Sequence, residues 1–465
     1  MTFQSIDPTT GTVVATQEAL DASQREALLA RVHAEQRRWR DLALADRARA
    51  IRALGAALRR SRASLADALT AEMGKPTAAA LAEVDKCAQL CDWAAGAAAD
   101  ALADERPIDD ALTTVRLSHR PLGVVLGIMP WNFPYWQALR LAVPTLLAGN
   151  GVLLKPAPSV PRSAGRLEHV LREADTAIPG VPPIPCRTAF LAVDDIDALI
   201  ADPRIAGVSL TGSDRAGRQV AAMAGRSLKR VALELGGSDP FIVFPDADVD
   251  RAAAVGALAR TVNAGQSCIA AKRFVVCDAV YDRFLARFTE AMRALVVGDP
   301  RDPRTSVGPL ASHGGREALH RQVCASVAAG ARVLLGGVPL DGPGAFYPPT
   351  VLVDVPDDAP AACEELFGPV AAVFRVADAD AAIARADATR FGLGASLWTR
   401  DPALVERCAR ELDTGMLVVN DMVVSDPRIP FGGVRDSGFG RELGGAGFRE
   451  FTNLQVLRVA SHPTG

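Results

Sequence analysis

The stretch Asn263-Ala264-Gly265-Gln266-Ser267-Cys268 carries the residue types for covalent chemistry. Cys268 follows an apolar, helix-like run from Ala252 to Val262 and precedes a strand-like run from Arg273 to Val276. A thiol in a loop between two regular elements is held by a scaffold and stays open to a ligand. Cys277 and Cys408 lie instead inside apolar runs, as structural cysteines do. A thiolate is a strong nucleophile and can form a covalent adduct with an electrophilic carbon. A free thiol has a pKa of about 8.5, so Cys268 needs positive charge, a helix dipole or a base to act. On this stretch alone, a loop cysteine without a role is an equal reading.

Other short motifs stand around it. Upstream are Pro130-Trp131-Asn132-Phe133-Pro134, Lys155-Pro156, Thr211-Gly212-Ser213 and Glu234-Leu235-Gly236-Gly237. Downstream are Glu364-Glu365-Leu366-Phe367-Gly368-Pro369 and Pro430-Phe431-Gly432-Gly433. In order and spacing these resemble the aldehyde dehydrogenase superfamily along essentially the whole chain. The resemblance is nearest to a shorter bacterial subgroup of succinate-semialdehyde dehydrogenases, notably at Ser267 to Phe274 and Ser425 to Gly433.

The resemblance implies roles residue by residue. Cys268 is the expected nucleophile. The side-chain amide of Asn132 and the backbone N–H of Cys268 are the expected oxyanion donors, each typically worth about 10²–10³ in rate. Glu234 is the expected general base, and desolvation beside Gly236-Gly237 would raise its pKa into a useful range. Its alternative is a salt-bridged glutamate, with Lys229 and Arg230 near in sequence. Glu234 also speaks against the CoA-acylating branch, which typically lacks this carboxylate. Trp131, Lys155, Ser159, Thr211, Gly212, Ser213, Glu365 and Phe367 are the expected cofactor residues. Glu442 resembles a second acid implicated in proton passage, although an exposed glutamate is the commoner meaning of such a residue.

Composition bounds the rest. A chain of 465 residues exceeds what one hydrophobic core usually supports, and 49% hydrophobic residues suffice for several. The net charge of −3 is small and unclustered, which argues against nucleic-acid binding. No apolar run reaches the about 18–20 residues that span a bilayer, and the first residues lack a secretory pattern. Eight cysteines are too sparse for a disulfide framework, so a reduced, cytoplasmic protein is expected. Cys87 and Cys91 sit one helical turn apart with no second cysteine pair or paired histidines; core positions, not a metal site, are expected. His320 reads as an ordinary surface residue.

The elements that must position these residues are α/β in pattern. A strand pair is expected over 5–16 around Thr10-Gly11, then Ala/Leu/Arg-rich helices near 21–39, 46–70 and 77–101 that read as scaffold. From Gly123 the chain alternates strands with helices. Expected strands are Val124–Ile128, Val152–Leu154, Phe190–Val193, Val208–Leu210 and Val231–Leu233, with a helix over Phe133–Ala148. Ligands of open α/β sheets bind at the carboxyl ends of strands, where Trp131, Asn132, Lys155, Thr211, Ser213 and Glu234 all fall. Residues 237–424 repeat the alternation, with helices near 247–261, 280–296, 314–329, 378–387 and 401–412. The expected fold is aldehyde dehydrogenase-like: a Rossmann-like cofactor domain (1–111 and 123–235), an α/β catalytic domain (236–436) and a β arm (112–122 and 452–461). Thr113–His119 and Leu454–Val459 alternate as half-exposed strands, and exposed edges invite pairing with another chain. The family's arms lie in both places, so a homodimer or dimer of dimers is expected.

Cofactor and substrate need more. The usual dinucleotide fingerprint Gly-x-Gly-x-x-Gly is absent. Gly212-Ser213-Asp214-Arg215-Ala216-Gly217 offers N–H groups at a helix start in its place, with an ordinary capped turn as the alternative. Many NAD-preferring relatives carry a glutamate three residues after the lysine; here Pro158 stands there, with Ser159 adjacent. Proline neither binds the ribose hydroxyls nor repels a 2′-phosphate, so NADP is expected over NAD. Arg140 lies just over two helical turns past Asn132, with Trp136 between, and can project towards Cys268. The resemblance pairs an arginine here with a serine matching Ser425 as binders of a substrate carboxylate. The leading expectation is NAD(P)-dependent oxidation of succinic semialdehyde to succinate. The alternatives are another, neutral aliphatic or aromatic aldehyde, or a non-catalytic relative.

Overall fold

The computed structural model describes residues 1–460. Ser461, the last position of the expected arm, lies outside the described residues. Val124–Ile128 is buried along almost its whole length and pairs in parallel with a strand on each side, Gly151–Lys155 and Ile205–Thr211. The six-stranded sheet runs in the order Gly438–Phe439, Arg230–Glu234, Ile205–Thr211, Val124–Ile128, Gly151–Lys155, Cys186–Thr188. Only the first of these is antiparallel to its neighbour. A seven-stranded sheet follows, with Ala271–Cys277 next to Asp239–Val243 near its middle and one antiparallel edge, Arg332–Leu335. Its core is aromatic: Phe274 and Phe288 have ring centroids 4.5 Å apart, and Phe241 stacks on Trp398. A third sheet joins Thr452–Ala460 to Thr113–Pro121 and Glu105–Asp109, and leaves Leu454, Val456 and Val459 exposed.

Three local expectations are corrected. The helix expected over 46–70 is two helices, Leu44–Arg60 and Arg62–Met73, which part at Ser61. The break is one residue long, and the helical bonds on either side of it are kept: Ser61 N–H donates to the Ala57 carbonyl and Leu65 N–H to the Ser61 carbonyl, both at 3.0 Å. The strand expected over Phe190–Val193 is instead Cys186–Thr188. The Phe190 carbonyl accepts the Leu20 N–H at 2.8 Å and its ring meets Phe3, so the N-terminal segment takes the groups a sheet partner would use. His320 is partly buried, with Nδ1 3.2 Å from the Tyr347 hydroxyl, and is not an ordinary surface residue.

The N-terminal helices do more than support. The helices Pro134–Leu147 and Pro161–Asp175 each begin with proline and lack a side-chain cap of their own. Their free N–H groups are met by glutamates from the N-terminal segment. Glu83 accepts from the N–H groups of Tyr135 and Trp136, both at 3.1 Å. Glu72 accepts from those of Arg162 and Ser163 at 2.7 and 2.8 Å. A carboxylate at a helix N-terminus satisfies orphan donors and faces the positive end of the dipole. Cys87 and Cys91 are fully buried among apolar side chains of these helices. No described helix is long and apolar enough to cross a membrane.

Candidate functional site

The helix Val249–Thr261 ends in a turn that few sequences adopt. Asn263 (φ 54°), Ala264 (φ 53°) and Gly265 (φ 74°) are left-handed in succession. Two of them carry a Cβ, and such residues typically cost about 1–3 kcal/mol each unless the surroundings impose them. The surroundings do. Arg260, fully buried, donates to the carbonyls of Gly265 (2.7 Å) and Ala271 (2.9 Å). Lys272 donates to those of Ser267 (2.8 Å) and Cys268 (2.7 Å) and lies 3.3 Å from Glu365. The Asn263 amide donates to the Asn132 carbonyl at 2.9 Å. A Cβ at Gly265 would sit 2.4 Å from the Gly368 carbonyl, so glycine is required for this approach of two loops.

Asn132 is buried, and its side-chain amide donates to the Gln266 carbonyl at 3.1 Å, two residues before the thiol. Its own carbonyl accepts from Lys75, which is paired with Glu83 and lies over the Phe133 ring. The turn that carries Asn132 is thus tied both to the thiol loop and to the N-terminal helices. Glu234, at the end of its strand, is buried with both carboxylate oxygens unbonded within the protein. Burial lifts its pKa well above the carboxylate range; the Glu442 charge adds to this, and Arg140 and Arg441 oppose it. The salt-bridged alternative with Lys229 or Arg230 does not form: Lys229 donates to the carbonyls of Asp202 and Ile205 instead.

Two cavities flank the loop. One, of about 260 Å³, is lined by Trp136, Arg140, Ser267, Cys268 and Ser425, so Arg140 and Ser425 do reach the thiol's cavity. The other, of about 550 Å³, is lined by Trp131, Gln266, Glu365 and Phe367, with the Trp131 and Phe367 rings edge to face at 5.7 Å. Lys155, Ser159, Thr211, Gly212 and Ser213 line neither and lie at or just beyond the carboxyl ends of their strands. Some of their polar groups are poorly satisfied. The Thr211 hydroxyl is buried without a partner, and the buried Lys155 ammonium meets the Pro156 carbonyl at 3.2 Å. A ligand bearing hydroxyls and phosphates fits such groups. Ser213 caps the helix Asp214–Arg226 by accepting the Ala216 N–H, which still leaves its hydroxyl proton to donate.

Two residues sit otherwise than expected. Glu442 is buried, not exposed, and its carboxylate pairs with Arg140. Arg140 is therefore not an unopposed guanidinium: Nε faces Glu442, the group lies over the Phe431 ring, and only Nη2 is buried without a partner. Lys75, Glu83, Lys86 and Lys272 were not singled out from sequence. Lys272, four residues after the cysteine, offered a positional hint; the others lie on or beside a helix that read as scaffold.

Two largely parallel sheets with helices, and a cleft on either side of the thiol loop, define an α/β protein. The chain belongs to the aldehyde dehydrogenase family, whose model matches residues 1–457. It is 44% identical over 468 residues to succinate-semialdehyde dehydrogenase [NADP(+)] of Mycobacterium avium, covering 100% of this chain and 98% of that protein. It is 45% identical over 463 residues to succinate-semialdehyde dehydrogenase [NADP(+)] 1 of Mycobacterium tuberculosis, covering 99% and 100%. The crystal structure of succinic semialdehyde dehydrogenase from Streptococcus pyogenes in complex with NADP+ superposes with a TM-score of 0.94 at 35% identity, over 99% of this chain and 100% of that one.

Cys268 is half-buried, and loss of solvent pushes its pKa up to about 12 despite the pull of Arg140 and Lys272; Glu365 and Glu234 add to the rise. The free protein therefore holds a thiol at neutral pH. Alkylation of Cys268 by iodoacetamide, followed by peptide mass, is expected to accelerate about tenfold per pH unit between about pH 7 and 10. A plateau below about pH 8 would show a thiolate already stabilised before substrate arrives.

Proposed function

We propose that this protein oxidises succinic semialdehyde to succinate with NADP+ through a thioester on Cys268. The observation that carries this is the cavity ending on Cys268, largely apolar in its walls yet holding the guanidinium of Arg140 and the hydroxyl of Ser425. Such a space accepts a short aliphatic aldehyde with an anionic far end. The relatives named for this substrate and for NADP(+) support the same reading.

In the proposed reaction the Cys268 thiol gives up its proton through Glu234 to solvent, its sulfur bonds the aldehyde carbon as the C=O π bond opens, and the Asn132 amide and the Cys268 N–H hold the resulting oxyanion. When bound, NADP+ supplies the acceptor for the hydride that leaves this carbon. Glu234 then takes a proton from water; the water oxygen bonds the thioester carbon, the C–S bond breaks, and the acid leaves with the thiolate restored. Trp131, Glu365 and Phe367 would hold the nicotinamide half. Lys155, Ser159, Thr211, Gly212 and Ser213 would hold the phosphates and adenosine ribose. Trp136, Arg140 and Ser425 would hold the substrate, and Glu442 would pass protons from the buried side of Glu234. The segments 1–111 with 123–235 form the proposed cofactor domain and 236–436 the catalytic domain, a division that limited proteolysis can test.

Wild-type protein is expected to reduce NADP+ with succinic semialdehyde well above any neutral aldehyde. Cys268→Ser should abolish turnover with cofactor binding intact. Glu234→Gln should slow thioester hydrolysis, roughly 10²-fold or more, so that an acyl-enzyme accumulates in intact-mass spectra. An unacylated Glu234→Gln protein with normal turnover would remove the base assignment.

Pro158 is exposed, and its carbonyl accepts the Gln4 N–H at 3.0 Å, an arrangement that any residue can keep. Pro158→Glu should therefore fold normally and move the ratio of kcat/KM values from NADP towards NAD. Strong NAD preference in the wild type would show that another group rejects the 2′-phosphate.

We propose further that the chain is a homodimer or dimer of dimers in the cytoplasm, joined through the arm. The strand Thr452–Ala460 is an edge strand nine residues long, with Leu454 51% and Val456 62% exposed, and such edges pair unless blocked. Leu454→Glu with Val456→Glu should lower the mass found by light scattering. An unchanged mass would place the interface elsewhere, and fractionation of source cells checks the compartment.

A further inference from the structure

The cavity at Cys268 holds a cation that none of the roles above uses. Lys86 lies on the helix Thr77–Ala101, and its ammonium projects between Trp136 and Ser425. Nζ donates to the Ser425 hydroxyl oxygen at 2.9 Å and stands 4.1 Å from the centroid of the Trp136 ring. The other charged groups of the lining are already opposed: Lys75 pairs with Glu83, and Arg140 with Glu442. Among the described residues, Lys86 is the cation of this cavity with no carboxylate in ion-pair range.

We propose that Lys86 is a specificity-determining residue that binds the distal carboxylate of the substrate, with Ser425 holding its ammonium in place. The inference rests on the semialdehyde reading above and adds the group that supplies the unopposed charge. Ser425 accepts from Lys86, so the serine's own proton is left to donate to the same carboxylate. Trp136 holds the ammonium against its ring face. Arg140 is held by Glu442 through Nε, and this buried pair sets the orientation of its guanidinium at the edge of the same cavity.

A lysine in this role leaves a signature that an arginine cannot. Burial lowers the Lys86 pKa to about 8, and Arg140 pushes it the same way. The negative charges that face it, Glu83 on its own helix and Asp426 beside Ser425, oppose this only in part. Lys86 is therefore charged below about pH 8 in the free protein and loses its proton as pH rises through that value. An arginine in the same place would show no such loss of charge in this range. The preference for a carboxylate-bearing aldehyde over a neutral one should be full below that point and fall above it. Titration of Cys268 affects both substrates alike and cancels in the ratio.

The test compares kcat/KM for succinic semialdehyde and for butanal, of the same chain length, from about pH 6.5 to about pH 9.5. In the wild type the ratio should fall above about pH 8. Lys86→Met should raise KM for succinic semialdehyde roughly ten- to a hundred-fold, leaving kcat and the butanal constants near wild type. Lys86→Arg should restore the preference and make the ratio flat with pH. A wild type that prefers succinic semialdehyde with a pH-independent ratio, or a Lys86→Met protein that keeps the preference, overturns the Lys86 assignment alone. A wild type that uses butanal as well as succinic semialdehyde overturns the substrate reading and this inference with it. The wild-type pH profile needs no variant, so it decides the matter even if Lys86→Met fails to fold.

Discussion

The structure depends on two buried cations that hold one strained loop. Arg260 and Lys272 are each almost wholly shielded from water, and each gives its charge to backbone carbonyls around Cys268. Desolvating such groups costs several kcal/mol unless hydrogen bonds replace the lost water, and here each has at least two carbonyl partners. The left-handed run Asn263-Ala264-Gly265 then has nowhere to relax. Lys272 also reaches Glu365, so one ammonium fixes the thiol loop and the wall of the second cleft together.

The same sharing of charge governs the rest of the site. Glu83 serves as helix cap and as partner of Lys75, and Lys75 in turn holds the carbonyl of Asn132. Arg140 on the entirely buried helix Pro134–Leu147 stands against Glu442, whose charge helps to keep Glu234 protonated. The Phe431 and Glu442 backbones pair with each other, at 2.7 and 2.8 Å, which brings the Pro430-Phe431-Gly432-Gly433 motif under this network. A Cβ at Gly432 would lie 2.8 Å from the Glu234 carboxylate, so the glycine leaves the carboxylate its room. The raised pKa values of Cys268 and Glu234 share one cause, removal of water, and each is a proton holder that substrate and cofactor must activate.

Much of this is legible in the chain alone. Val124–Ile128 is continuously apolar, and a run of that kind has one stable place, between two strands under helices. The alternation that follows it sets a parallel sheet, and the polar residues at the strand ends then have to gather on one edge. Where local pattern failed, a distant or unpatterned group had intervened. Phe190, which periodicity puts in a strand, gave its carbonyl to Leu20.

Sequence by itself determined the runs Val124–Ile128, Val152–Leu154, Val208–Leu210 and Val231–Leu233, their parallel alternation with helices, the loop that holds Cys268 and the placement of Asn132, Lys155 and Glu234 at strand ends. These follow from short-range physics: apolar periodicity, chain stiffness and the right-handed crossover. Tertiary structure alone decided that Arg140 is opposed by Glu442, that Glu83 caps a helix it does not belong to, and that Lys86 meets Ser425 across the cavity. The charges involved are far apart in the chain and have no periodicity between them. Which cation stays free is set by burial and by competition among neighbours, quantities that exist only once the chain has folded.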